Sequence, residues 1–174
     1  AAPPAVPRFE RTTCAAEVAA DERIECGELV VAENRRRPDS RAIRLPVIVF
    51  RSRAAAPAPD PAVYMAGGPG NSSTAGRRSG RDIPFLDDRD YVVLEQRGTR
   101  RARPALECPA INALRGEIAA GRVHGDAERS AMAKEAAACR AALVDAGADL
   151  DGYTSAATAD DVDYLRQALG YERW

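Results

Sequence analysis

Tyr64-Met65-Ala66-Gly67-Gly68-Pro69-Gly70-Asn71-Ser72-Ser73 closes a short apolar run with a glycine-proline turn. A second apolar run, Tyr91-Val92-Val93-Leu94, ends in Glu95-Gln96-Arg97-Gly98-Thr99. Short, continuously apolar runs of this kind read as strands buried on both faces. A strand that stops in Gly-Gly-Pro-Gly presents backbone N–H groups that no side chain shields. Such groups suit an anion, either a phosphate or the oxyanion of an acyl-transfer intermediate.

Spacing removes the nucleotide readings. A P-loop needs Gly-x-x-x-x-Gly-Lys followed by Ser or Thr. Here five residues separate Gly70 from Gly76, and Arg77 stands in the Lys position. A dinucleotide fingerprint needs Gly-x-Gly-x-x-Gly, and Gly68-Pro69-Gly70-Asn71-Ser72-Ser73 lacks the third glycine. What remains is an oxyanion site or a purely structural turn.

Upstream, residues 1–13 read as a flexible tail. Its opening, Ala1 to Pro7, has the look of a mature N-terminus after signal-peptide removal. Gly27–Ala32 and Ile43–Phe50 read as an antiparallel pair of strands. Pro46 marks an edge position or an irregularity, because proline cannot donate to a ladder. Downstream, a weak helix is expected over Ile111–Arg122 and a stronger one over Ala127–Ala146. Met132, Ala136, Cys139, Leu143 and Ala146 share one face of the latter. Thr158-Ala159-Asp160-Asp161 resembles a helix entry, with Val162, Leu165 and Leu169 as the buried stripe and Gly170 as the stop. Tyr171–Trp174 reads as the run into another strand. Strands followed by helices predict an α/β fold, with an antiparallel start feeding a mainly parallel sheet.

At 174 residues the chain holds one ordinary domain. A net charge of −1 argues against a nucleic-acid partner, and no apolar run reaches the length of a membrane span. The basic residues are nearly all Arg, with Lys134 as the one Lys, which reads as a compositional habit. Arg77, Arg78, Arg81 and Arg97–Arg103 read as a solvated surface before they read as an entrance for anionic groups.

The four cysteines, Cys14, Cys26, Cys108 and Cys139, form no Cys-x-x-Cys pair, and the chain has one His. That disfavours a zinc site, and no cofactor is implied. Two disulfides in an exported protein, secreted or periplasmic, is the better reading. Three connectivities are open. In one, Cys14–Cys26 closes a short loop and Cys108–Cys139 ties the segment after the second turn to a helix.

The two turns together resemble the α/β-hydrolase branch of the prolyl aminopeptidase and secreted tripeptidyl aminopeptidase-like family. Further points of resemblance are Ala102–Cys108, Tyr153-Thr154-Ser155, and the run Asp160–Gly170 that would precede the nucleophile strand. Cys14 and Cys26 sit where secreted members carry an N-terminal pair. The resemblance spans residues 12–174. It implies the N-terminal part of an α/β-hydrolase core over 14–174, completed by a second polypeptide. It also implies that Gly68, with Gly67 second, supplies oxyanion-hole amides beside Gly70, Asn71 and Ser72 near the substrate. Gln96, Arg97 and Gly98 match a turn that is mainly structural. Departures are Ala66 in place of His before the glycines, Glu95 in place of Asp, and Arg100 and Ala102 in place of a later Gly and Ser.

The nucleophile of such an enzyme sits in Gly-x-Ser-x-Gly, followed by an acid and a His. None of Ser40, Ser52, Ser72, Ser73, Ser79, Ser130 and Ser155 has that context. His124, between Val123 and Gly125, reads as a solvated loop residue. The implied function is therefore a secreted serine hydrolase, aminopeptidase-like, acting on peptide or ester substrates. Its triad would lie on a C-terminal polypeptide, as in a processed or nicked two-chain enzyme, and this chain alone would be inactive. The alternatives are an esterase or amidase of the same fold and a non-catalytic secreted binding module.

Overall fold

The computed structural model describes residues 7–18, 23–68, 70–77 and 79–174. In chain order the elements are β1 (Arg8–Thr12), β2 (Ile24–Ala32), β3 (Ala42–Phe50), β4 (Ala62–Tyr64), β5 (Tyr91–Leu94), α1 (Pro109–Ala119), α2 (Gly125–Asp145) and α3 (Ser155–Ala168). Two compact units result. The sheet unit comprises the described residues of Ala1–Ala105 with Asp151–Trp174, and the helical unit is Leu106–Leu150.

The sheet corrects the expected fold class. Its strand order is β1-β2-β3-β5-β4. The β1–β2, β2–β3 and β3–β5 pairings are antiparallel, and β4–β5 is the one parallel pair among the described residues. The sheet is mixed and mainly antiparallel, not the mainly parallel sheet of an α/β-hydrolase core. The expectation rested on continuously apolar strands, and those have another cause here. Both faces of β3 and β5 are covered. Val47, Val49, Val92 and Leu94 enter one core cluster with Leu165 of α3. Ile48, Phe50, Tyr91 and Val93 enter a second with Val18 and Leu86. Two-sided cover demands apolar residues at every position, whatever the direction of the neighbouring strand.

Further differences are local. Residues 8–12, inside the expected tail, form β1 and pair with β2 from Arg8–Val30 to Thr12–Cys26. Pro46 lies in an interior strand, yet takes no bond from the β2–β3 ladder. Its carbonyl accepts from Glu95 N–H at 2.9 Å, so its missing N–H falls on the same side, just beyond the Val47–Leu94 end of the β3–β5 ladder. β4, expected as a buried interior strand, is a half-buried strand at the edge of the sheet.

α3 begins three residues before the expected Thr158 entry, because Thr154 is the better cap. Its Oγ1 accepts from Ala157 N–H at 3.1 Å. Leu165 is fully buried, and Val162 and Leu169 pack beside it. Gly170, at φ +81°, ends the helix as expected. Tyr171–Trp174 forms no strand. Instead the Tyr171 hydroxyl donates to Asp90 Oδ2 at 2.6 Å, and the Trp174 indole donates to Val162 O at 3.2 Å.

The helical unit is an α1–α2 pair cross-linked by Cys108–Cys139, with Cα atoms 5.7 Å apart. Ile111, Leu114 and Ile118 of α1 are half-buried, as are Met132, Cys139 and Leu143 of α2. Ala136 and Ala146, expected on the buried face, are exposed. Neither helix holds a fully buried residue. In the sheet unit, Cys14–Cys26 ties the segment after β1 to β2, with Cα atoms 5.1 Å apart.

Candidate functional site

Parallel pairing of β4 with β5 sends both strand-ending turns to the same end of the sheet. The turn after β4 is the candidate site. Gly67, Gly68, Gly70 and Asn71 are exposed; Pro69 lies outside the described residues, so the turn's centre is not described. The N–H groups of Gly67 and Gly68 donate to no acceptor among the described residues. Gly68 sits at φ +118°, where a side chain strains the backbone, and a Cβ there would lie 2.3 Å from Asn71 Nδ2. The four residues Gly67, Gly68, Gly70 and Asn71 are thus together at one exposed corner.

The loop is anchored on both flanks. On the entry side, Ala66 is buried; its N–H donates to Ser73 Oγ at 2.9 Å and its carbonyl accepts from Gln96 Nε2. On the exit side stands Glu95, fully buried. Its Oε2 accepts from Ser72 Oγ at 2.8 Å, Thr74 N–H at 3.0 Å and Thr74 Oγ1 at 2.9 Å. Its Oε1 accepts from Thr99 Oγ1 at 2.7 Å and Arg101 N–H at 3.3 Å. Burial pushes this carboxyl up. The Thr74 N–H and the hydroxyls of Thr99, Ser72 and Thr74 outweigh it, and the net pKa lies below the ordinary carboxylate value. Ser72, expected beside the substrate, is committed to this clamp and also accepts from Ala75 N–H at 3.1 Å.

The turn after β5 is held from the other side. Arg97, expected to be structural in the turn yet also counted among entrance-lining arginines, is buried. It forms two bonds with Asp161 of α3, Nε to Oδ2 at 2.7 Å and Nη2 to Oδ1 at 2.8 Å. Its Nη1 donates to the Glu33 carbonyl at 2.7 Å and to Gly152 O. Arg35 adds a second guanidinium to Asp161. The Glu33 carboxylate is satisfied by Arg41, with both contacts at 2.7 Å, and by the Tyr153 hydroxyl at 2.6 Å. Burial and the Glu33 carboxylate both push the Tyr153 phenol up. Asp161, read from sequence as a helix-entry acid, is therefore the buried counter-charge that fixes α3 to the β5 turn.

An open cleft of about 400 Å³ lies beside the glycine turn, lined by Met65, Gln96, Arg97, Tyr153, Thr154 and neighbouring residues of the α3 start. Of the other surface arginines, Arg77 stands over the Tyr64 ring at 4.3 Å and Arg101 pairs with Glu17 at 2.8 Å. Arg78 lies outside the described residues. His124 is exposed at the N-terminus of α2, in the helical unit. No Gly-x-Ser-x-Gly serine is present.

Sequence reading found the exposed glycines and missed the clamp. Glu95 carried a visible signal: a carboxylate directly after a fully apolar strand must be either exposed or satisfied by several donors. Arg97–Asp161 carried none, since 64 positions separate the partners.

The sequence matches no family model and no curated protein. The two disulfides fit an oxidising compartment. No helix among the described residues is long and apolar enough to cross a membrane.

Proposed function

We propose that this chain supplies the oxyanion-stabilising turn of a secreted serine hydrolase of the prolyl aminopeptidase-like family. The favoured activity is release of residues or short peptides from peptide N-termini. The observation that carries the reading is the pair of amides at Gly67 and Gly68, which meet no acceptor among the described residues, on a loop whose flanks are fixed by Gln96, Ser73 and Glu95.

Oxyanion stabilisation needs donors whose positions are set before the reaction. A backbone amide aimed at the negative oxygen of a tetrahedral intermediate contributes about 3–4 kcal/mol to the transition state. A donor that must first be pulled into place loses much of that. The Glu95 clamp removes the freedom of the loop's exit side, and the Ser73 and Gln96 contacts do so on its entry side. The exposed glycines between them lie beside an open cleft. On this reading the attacking serine, its His and its acid lie outside these 174 residues, which hold no nucleophile elbow.

The test is co-purification followed by fluorophosphonate labelling. The expected result is a labelled partner carrying Gly-x-Ser-x-Gly, together with no turnover of a chromogenic ester by this chain alone. Turnover by the isolated chain, or a partner that takes no label, overturns the reading; the latter outcome points to a binding module.

A further inference from the structure

The helical unit is built unlike the sheet unit. α1 has 11 residues and includes Asn112 and Gly116. A helix of that length does not hold itself in water and relies on packing. Yet its apolar stripe, Ile111, Leu114 and Ile118, is only half-buried, and no residue of α1 is fully buried. α2 has 21 residues and is rich in Ala, which favours helix without supplying much to pack against. Its Met132 and Leu143 are half-buried, and Val144 is 47 % exposed. Units of this size ordinarily need a staple. One is present: Cys108 at the N-cap of α1 is joined to Cys139 within α2, across a separation of 31 residues.

We propose that the helical unit is a redox-conditional element: α1 is ordered only while Cys108–Cys139 is closed, and this order is gained and lost without the sheet unit unfolding. In the open form α1 melts. α2 keeps part of its helix through its Ala-rich sequence. The chemistry is two-electron thiol–disulfide exchange. The thiolate of a small dithiol attacks one sulfur, the S–S bond breaks, and a second attack releases both cysteines as thiols and the reductant as its disulfide.

Residue-resolved hydrogen exchange on the full chain tests this, comparing the parent with Cys108→Ser/Cys139→Ser. A Cys14→Ser/Cys26→Ser chain, measured before and after treatment with a dithiol, opens the same bond without altering either cysteine of the helical unit. The expected result in both is a loss of amide protection over 109–119 on the order of several hundredfold, the scale of closing a loop of this length. Protection over β2, β3 and β5 changes by less than about threefold, within ordinary scatter between separate sites. Unchanged α1 protection overturns the proposal. Loss of α1 and sheet protection together, or failure of the double variant to fold at all, overturns the claim that the two units order independently.

Discussion

The turns after β4 and β5 leave the sheet at the same end and have opposite characters. The β5 turn is spent on structure. Glu95 and Arg97 are buried, and every charge they carry meets a partner. The β4 turn is spent on presentation, with Gly67, Gly68, Gly70 and Asn71 exposed. The two are linked, since the Glu95 carboxylate of one receives the donors that close the other. A presenting loop can be short of contacts of its own when its neighbour holds its ends. Variants that break the holding turn should therefore cost far more stability than variants of the presenting one.

Asp161→Ala should show the largest effect. It strips the counter-charge from buried Arg97 and from Arg35 at once. Leaving a buried charge unpaired costs about 3–5 kcal/mol. Trp174, the one Trp in the chain, packs on the core cluster that contains Leu165 and reports the sheet unit directly by fluorescence during denaturation. A loss below about 1 kcal/mol, the level of an exposed pair, would mean that Arg97 is hydrated and not buried.

Glu95→Gln comes next, at about 2–3 kcal/mol, because the amide keeps the shape but turns donors toward the Thr74 N–H and its neighbours. Its pH dependence has a fixed sign. The folded pKa of Glu95 is depressed. The clamp's contribution is therefore complete above the ordinary carboxylate value and fades as pH falls through the lower, folded one. The gap between parent and Glu95→Gln should be widest near neutrality and close on acidification below about pH 4. A gap that widens toward acid would reverse the assignment of Glu95 as the charged partner.

The same contrast explains what was legible in the sequence. Val30, Val31, Val47–Phe50 and Tyr91–Leu94 announce strands because each needs burial, and Val162, Leu165 and Leu169 announce α3 by their spacing. Strand direction left no such mark, since β3 and β5 are covered on both faces and would be as apolar in a parallel sheet. β1 was hidden because Arg8-Phe9-Glu10-Arg11-Thr12 offers one large apolar side chain, and its order comes from pairing with β2. The exposed glycines were legible as a local motif. Their anchorage was not, because Glu95 and Asp161 reach partners that no local pattern connects.

The smallest effects separate the two glycines of the presenting turn. Gly68→Ala should cost about 1–2 kcal/mol, because its φ of +118° strains any residue with a Cβ. The close approach to Asn71 adds little, since that exposed side chain can swing away. Gly67 has no such constraint. Its φ is not positive and no atom of the described residues lies within 4 Å of a Cβ placed there. Gly67→Ala should therefore stay within about 0.5 kcal/mol of the parent. The amide N–H survives in both variants, so a stability difference between them reads backbone geometry alone. Equal losses at the two positions would show that the loop is held along its whole length, and the division between a holding turn and a presenting one would fail.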